Sequence, residues 1–196
     1  LFLQTGGGAV STGGNIVTSG DTIDFTNALT LTESVLLDTG AGADISFANT
    51  ATIDDGAGGP WNLTVDAPGS VISFGAASGA GNGRIGGAAG ANRIGTLTVT
   101  DAGTVNFNGE VFTTVLTQTA GSVITTSNQA VNISGNISIS GTAVTINNGV
   151  TTTAGGTVTI TNTGALTIAA TGDMSLDGLF LQTGGGAVST GGNIVT

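Results

Sequence analysis

The side chains able to do acid–base chemistry in this chain are almost all carboxylates. Twelve Asp and Glu stand against two basic residues, Arg84 and Arg93, with no His, Cys, Tyr or Lys. A Ser or Thr nucleophile needs a positioned base, usually His, and Lys as the substitute base is missing too. Without Cys there are no disulfides, thiolate nucleophiles or thiolate-held metals. Without Lys there are no Lys–Asn isopeptide cross-links. A pair of carboxylates is the remaining acid–base device. The candidates are Asp21 with Asp24, Asp54 with Asp55, and Asp173 with Asp177. Sugar-cleaving sites usually add aromatic platforms and basic residues, and this chain has one Trp, seven Phe and the two Arg. The expectation is therefore no enzyme, with the Asp residues serving turns and a solvated acidic face.

Carboxylates also hold hard cations. Asp38 and Asp44 flank the turn TGAGA, and Asp54 and Asp55 follow Asp38 by about sixteen residues, near the length of one coil. Stacked carboxylates and turn carbonyls suit Ca²⁺, so these four are candidate weak calcium ligands. The GGxGxD nonapeptide of calcium-binding β-rolls is absent. No other cofactor is implied.

The formal charge of −10 leaves no basic surface to neutralise phosphates, which argues against nucleic acid and against an anionic membrane surface. No apolar run approaches the length of a membrane-spanning helix.

What must position these residues is a repeat. Leu1–Thr18 and Leu179–Thr196 are both LFLQTGGGAVSTGGNIVT, 178 positions apart. Residues 1–178 read as one repeat unit and 179–196 as the start of the next, identical one. Between them, apolar residues alternate with polar ones, as in TVTITNTGALTIAATGDMSL (residues 157–176), and a Gly or Asn interrupts every six to nine residues. A period of two in short runs signals half-buried strands. Inward positions return after 21 residues (Ile139 to Ile160) or 22 (Ile146 to Ile168). Three short strands and three turns per circuit account for both steps. The pattern predicts an all-β chain wound as a parallel β-helix, or β-solenoid, with roughly eight to nine rungs and about 40 Å of rise per repeat. Identical ends predict identical conformations that face the same way, related by a pure screw along the axis; different facing would deprive a fibre reading of its main support. The competing fold is an array of β-sandwiches with longer strands and hairpins.

Residues 75–95 lose the alternation, are mostly Gly, Ala and Asn, and carry both Arg residues. They read as a loop or insertion at a corner, or as a contact in which Arg84 and Arg93 meet acidic residues on an adjacent coil or copy. Phe25, Phe47, Phe74 and Phe107 share the phase of Ile23, Ile45, Ile72 and Val105, so core stacking is expected rather than a ligand strip. Trp61, after Pro60, is expected to cover a corner. Thr96, Thr98 and Thr100, with Thr157, Thr159 and Thr161, form TxT rows of the kind that bind ice on flat solenoids. Asn106, Ser138, Ser140 and Asp173 are expected to interrupt them.

The segments DTGAGADISF (38–47), NLTVDAPGSVISFGA (62–76) and IGTLTVTDAGTVNFNGEV (94–111) resemble the repeats of giant bacterial β-strand-repeat surface proteins. GALTIAATGDMSL (164–176) is similar to repeats of filamentous-haemagglutinin-like exoproteins. The resemblance implies a right-handed β-helix in a secreted, extracellular or cell-surface fibre, commonly an adhesin, whose shaft has no catalytic residues. Its partners would be copies of itself, end to end and side by side, and a host-surface or polysaccharide ligand bound elsewhere. Ice binding and a polysaccharide-active enzyme are the remaining alternatives.

Overall fold

The computed structural model describes residues 1–76, 83–87, 92–119 and 124–196. The described chain is all-β and winds as a parallel β-solenoid of about nine turns. Every strand pairing is parallel, which excludes the hairpin-built sandwich for the described residues. Each turn presents three faces.

The first face stacks Phe2–Gln4, Ile23–Phe25, Ile45–Phe47, the ends of Leu63–Phe74 and Ile94–Phe107, then Ile124–Ser127, Ala143–Ile146, Leu166–Ile168 and Val188–Thr190. The second stacks Val10–Thr12, Leu29–Leu31, Ile53–Asp55, Ile85, the start of Val111–Gln118, Val131–Ile133, Val150–Thr152, Met174–Ser175 and Ile194–Val195. The third runs from Ile16–Val17 and Val35–Asp38 through the starts of Leu63–Phe74 and Ile94–Phe107. It continues through the end of Val111–Gln118 to Ile137–Gly141, Val158–Asn162 and Phe180–Thr183.

Alternation explains which side chains fill the coil. Successive strand residues point to opposite sheet faces, so Ile23 and Phe25 turn inward together, as do Ile45 with Phe47, Ile72 with Phe74 and Val105 with Phe107, all essentially unexposed. The rings stack down the axis. Phe25–Phe47, Phe47–Phe74 and Phe74–Phe107 lie 5.0, 5.3 and 5.3 Å apart, within 12° of parallel. The expected aromatic core is thus a continuous column. Phe2 meets it tilted by 46°, because it pairs with Ile23 rather than Phe25. Below Phe107 the position falls to Ser127, beside a small, mainly apolar interior void of about 20 Å³.

The middle of the coil departs from three short strands per turn. Leu63–Phe74 and Ile94–Phe107 are strands of 12 and 14 residues that cross a corner without breaking, with register irregularities near Ala102. The inward position steps from Phe47 to Phe74 to Phe107, 27 and then 33 residues, instead of about 21. The 178-residue offset therefore holds fewer turns than a uniform period gives. From Phe2 on the first face to Phe180 on the third, the chain makes seven turns and two further faces. The two identical segments have nearly the same strand limits, the first strand ending one residue later in the second copy, but occupy different faces. This overturns the expectation that they face the same way and removes the support that a shared orientation would have lent to a fibre.

Residues 75–95 are also more than a corner loop. Among their described residues, Ile85 is fully buried and bridges Ile53 and Val111, supplying the second face of the fourth turn. Its amide donates to the Glu110 carbonyl at 2.9 Å, and the Ile53 amide donates to the Arg84 carbonyl at 2.8 Å. The rest of that stretch, residues 77–82 and 88–91, lies outside the described residues.

Corners are tied by amides. Asn108 Nδ2 donates to the Gly75 carbonyl, Asn128 Nδ2 to Asn108 Oδ1 and Asn147 Nδ2 to Asn128 Oδ1, at 2.7–2.8 Å. This ladder follows the first face over four turns. Asn128→Ala would leave Asn147 without its acceptor and Asn108 without its donor. The expected loss is about 1–3 kcal/mol, read as a lower thermal midpoint, with faster amide exchange confined to these turns.

Candidate functional site

Among the described residues no three carboxylates group as a metal site, and several of the carboxylates are engaged by the coil itself. Asp173 Oδ1 accepts from the Asn193 amide at 2.7 Å, and Asp177 Oδ2 from the Gly155 amide at 2.6 Å. Asp44 Oδ1 accepts from the Val71 amide at 2.8 Å. Asparagines act alike: Asn15 caps the Leu36 amide, Asn62 the Thr96 amide and Asn136 the Thr157 amide, each in the neighbouring turn. Backbone N–H groups at the corners lack a ladder partner and must find one. Asp and Asn oxygens provide it.

The proposed carboxylate pairs are divided by these bonds. Asp24 bonds Ser46 and Thr22. Asp55 Oδ1 accepts from the Trp61 amide at 3.0 Å, and Asp54 Oδ2 from Thr52 at 2.9 Å. Trp61 is half-buried against the core, as a corner cover.

The calcium candidates are not brought together. Asp38 ends a third-face strand and caps the Gly40 amide at 2.7 Å, Asp44 precedes a first-face strand, and Asp54 and Asp55 lie on the second face. Among the described residues no three Asp or Glu form a group able to hold a metal. The expectation that Asp54 and Asp55 sit one coil beyond Asp38 is thereby corrected, since the coil carries them to another face. The carboxylates that do stack over Asp38 are ones the spacing argument missed. Asp66 pairs with Asp38 in register, and Asp101 follows on the next turn.

This stack has a pH signature. Burial, then the negative charges of Asp38 and Asp101, raise the Asp66 carboxyl above its ordinary value. A raised folded-state value means that the native chain binds the proton more tightly than the unfolded chain. Its penalty is absent at acid pH and appears as pH rises through the raised value. Asp66→Asn is therefore expected to stabilise the coil at pH 7, to change little near pH 3, and to flatten the stability–pH profile measured by denaturant unfolding.

Arg84 and Arg93 are both occupied within the chain. Arg84 Nη2 lies 3.6 Å from Asp54 Oδ1 on the adjacent coil, and its Nε donates to the Gly86 carbonyl at 2.7 Å. Arg93 Nη1 donates to the carbonyls of Thr113 and Asn132 at 2.8 and 2.6 Å, with the guanidinium 5.8 Å above the Phe112 ring. Burial lowers its pKa. Arg84 thus meets an acidic residue on an adjacent coil, as expected of it, whereas Arg93 meets backbone carbonyls and an aromatic ring instead of a carboxylate among the described residues; both cations bind turns together.

The TxT rows share one face. Thr98, Thr117, Ser138 and Thr159 are register partners in consecutive turns, and Thr64 precedes Thr98. Of the residues expected to interrupt them, Asn106 lies on the first face and Asp173 leads into the second, while Ser138 and Ser140 extend the hydroxyl array. No described helix is long and apolar enough to cross a membrane. No model of a known protein family, no curated protein and no solved structure matches the chain.

Proposed function

We propose that this chain is a structural segment of an extracellular or cell-surface fibre, with the solenoid as its shaft. The supporting observation is that many of the polar and aromatic side chains join one turn to the next. Asp and Asn cap neighbouring amides, both Arg bridge turns, and the aromatics form an internal column. The mechanism is geometrical: each turn supplies the hydrogen-bonding edge on which the next is laid. No catalysis, cofactor or nucleic acid enters this reading, and its partners are further copies of itself.

A stalk carrying an adhesive region beyond this segment is the same shaft in another setting. Electron microscopy of the native particle tests both, since a filament with a regular axial repeat supports the shaft and a compact globule refutes it. Charge adds a second expectation. Near pH 4, close to the sequence pI of about 4.1, the carboxylates lose the repulsion that keeps shafts apart. Fibres are expected to bundle there with their circular dichroism unchanged, because backbone bonds and aliphatic burial hold the coil.

One observation favours a second reading. The hydroxyl column Thr64, Thr98, Thr117, Ser138 and Thr159 makes the third face a candidate ice-binding surface. Thermal hysteresis abolished by Thr117→Lys would support it, and no hysteresis in the unaltered chain would remove it.

A further inference from the structure

The identical eighteen-residue segments act as an internal ruler. They have the same strand limits, Phe2 to Gln4 against Phe180 to Thr183 differing only at the last residue. They expose the leucine and valine of their first and third strands alike: Leu3 is 50 % and Leu181 51 % accessible, Val17 60 % and Val195 62 %, although Val188 is more exposed than its counterpart Val10. Yet Leu3 lies beside Asp24 on the first face, and Leu181 beside Thr159 on the third. We propose that each 178-residue copy is phased to displace its surface by one face of the three-sided coil, so that successive copies present the same outward residues in three directions. This rests on the tandem-shaft reading above. Since one copy spans seven turns and two faces, three copies restore the starting face.

The phase requires one sequence to turn two different corners, and the triglycine run allows it. Thr5–Ala9 joins the first face to the second, whereas Thr183–Ala187 joins the third to the first. The backbones differ accordingly. Gly184 has φ +96°, a conformation that its counterpart Gly6 does not share. Gln4 Nε2 donates to the Gly8 carbonyl, while Gln182 Nε2 donates to Asn162 Oδ1 at 2.7 Å. A Cβ on Gly184 would lie 2.2 Å from the Asn162 carbonyl oxygen, and one on Gly186 would lie 1.7 Å from that of Gly164. Only glycine takes both paths at little cost. A shaft so phased has no preferred side: a neighbouring fibre or a surface meets the same copy-borne residues from any of three directions.

The chain has no Cys, so paired cysteines report the phase directly. Thr159→Cys with Leu181→Cys, and Thr167→Cys with Ser189→Cys, are expected to be joined in high yield by a short bifunctional thiol reagent. Thr167→Cys with Leu181→Cys, and Ser175→Cys with Ser189→Cys, are expected to stay at background. Whole-turn phasing gives the reverse pattern and would overturn the proposal. All these positions point outward, and circular dichroism checks that each variant keeps its sheet. In a chain extended by a second copy of residues 19–196, gold on Leu3→Cys, Leu181→Cys and the next equivalent should mark three faces. Labels in one line along the axis would refute the shift. Should the cross-links succeed while the native particle is globular, the phase stands and the fibre reading falls.

Discussion

Phe74→Ala is expected to destabilise the solenoid by about 3–5 kcal/mol, the usual cost of removing a fully buried phenyl ring. Phe74 is unexposed and stacks on Phe47 above and Phe107 below, each 5.3 Å away. Truncation removes both contacts at once and cuts the column in two. Aromatic pairs contribute about 0.5–1.5 kcal/mol beyond area burial, so Phe74→Leu should recover much of the loss but not all. Phe2→Ala is the control, because that ring is only part-buried and tilted at the end of the column. Because turns contact mainly their neighbours, hydrogen exchange should show the weakening centred on the turns containing Phe47, Phe74 and Phe107. A uniform loss over the whole chain would mean that the column does not act locally.

The second large effect is expected at two adjacent glycines, Gly155 and Gly156, whose surroundings differ. A Cβ on Gly156 would lie 2.0 Å from the Gly135 carbonyl oxygen, whereas one on Gly155 meets nothing within 4 Å. Gly156→Ala must push one turn off the next, and an overpacking cost of about 2–3 kcal/mol is expected. Gly155 has φ +74°, so Gly155→Ala carries only the strain of that backbone region, about 1 kcal/mol. Urea unfolding of the two single variants measures the difference. Equal losses would show that backbone conformation, rather than the close approach of turns, governs this corner.

Much of this architecture is legible in the sequence. The alternation of Val158 and Ile160 with Thr157, Thr159 and Thr161 specified a strand with one buried face, and the 21–22-residue returns specified a coil. The shared phase of Phe25, Phe47, Phe74 and Phe107 with inward aliphatics placed them in the core. These features are local or periodic, and side-chain alternation fixes them whatever the rest of the chain does.

Which face a residue occupies is not local. It depends on the summed length of every turn before it, and the steps of 27 and 33 residues through Phe74 and Phe107 upset any uniform count. That is why Asp38 stacks with Asp66 instead of approaching Asp54 and Asp55, and why Phe2 and Phe180 lie on different faces. The Asn108–Asn128–Asn147 ladder had a faint signal, an Asn following an inward residue at intervals of 20 and 19 positions. A corner amide becomes a ladder only when consecutive turns bring those corners into register. Composition and period two alone carry the alternation, the coil and the lack of His, Lys and Cys. The tertiary structure alone decided the phase between copies and the pairing of carboxylates, amides and cations, because those depend on the accumulated length of turns that no local pattern records.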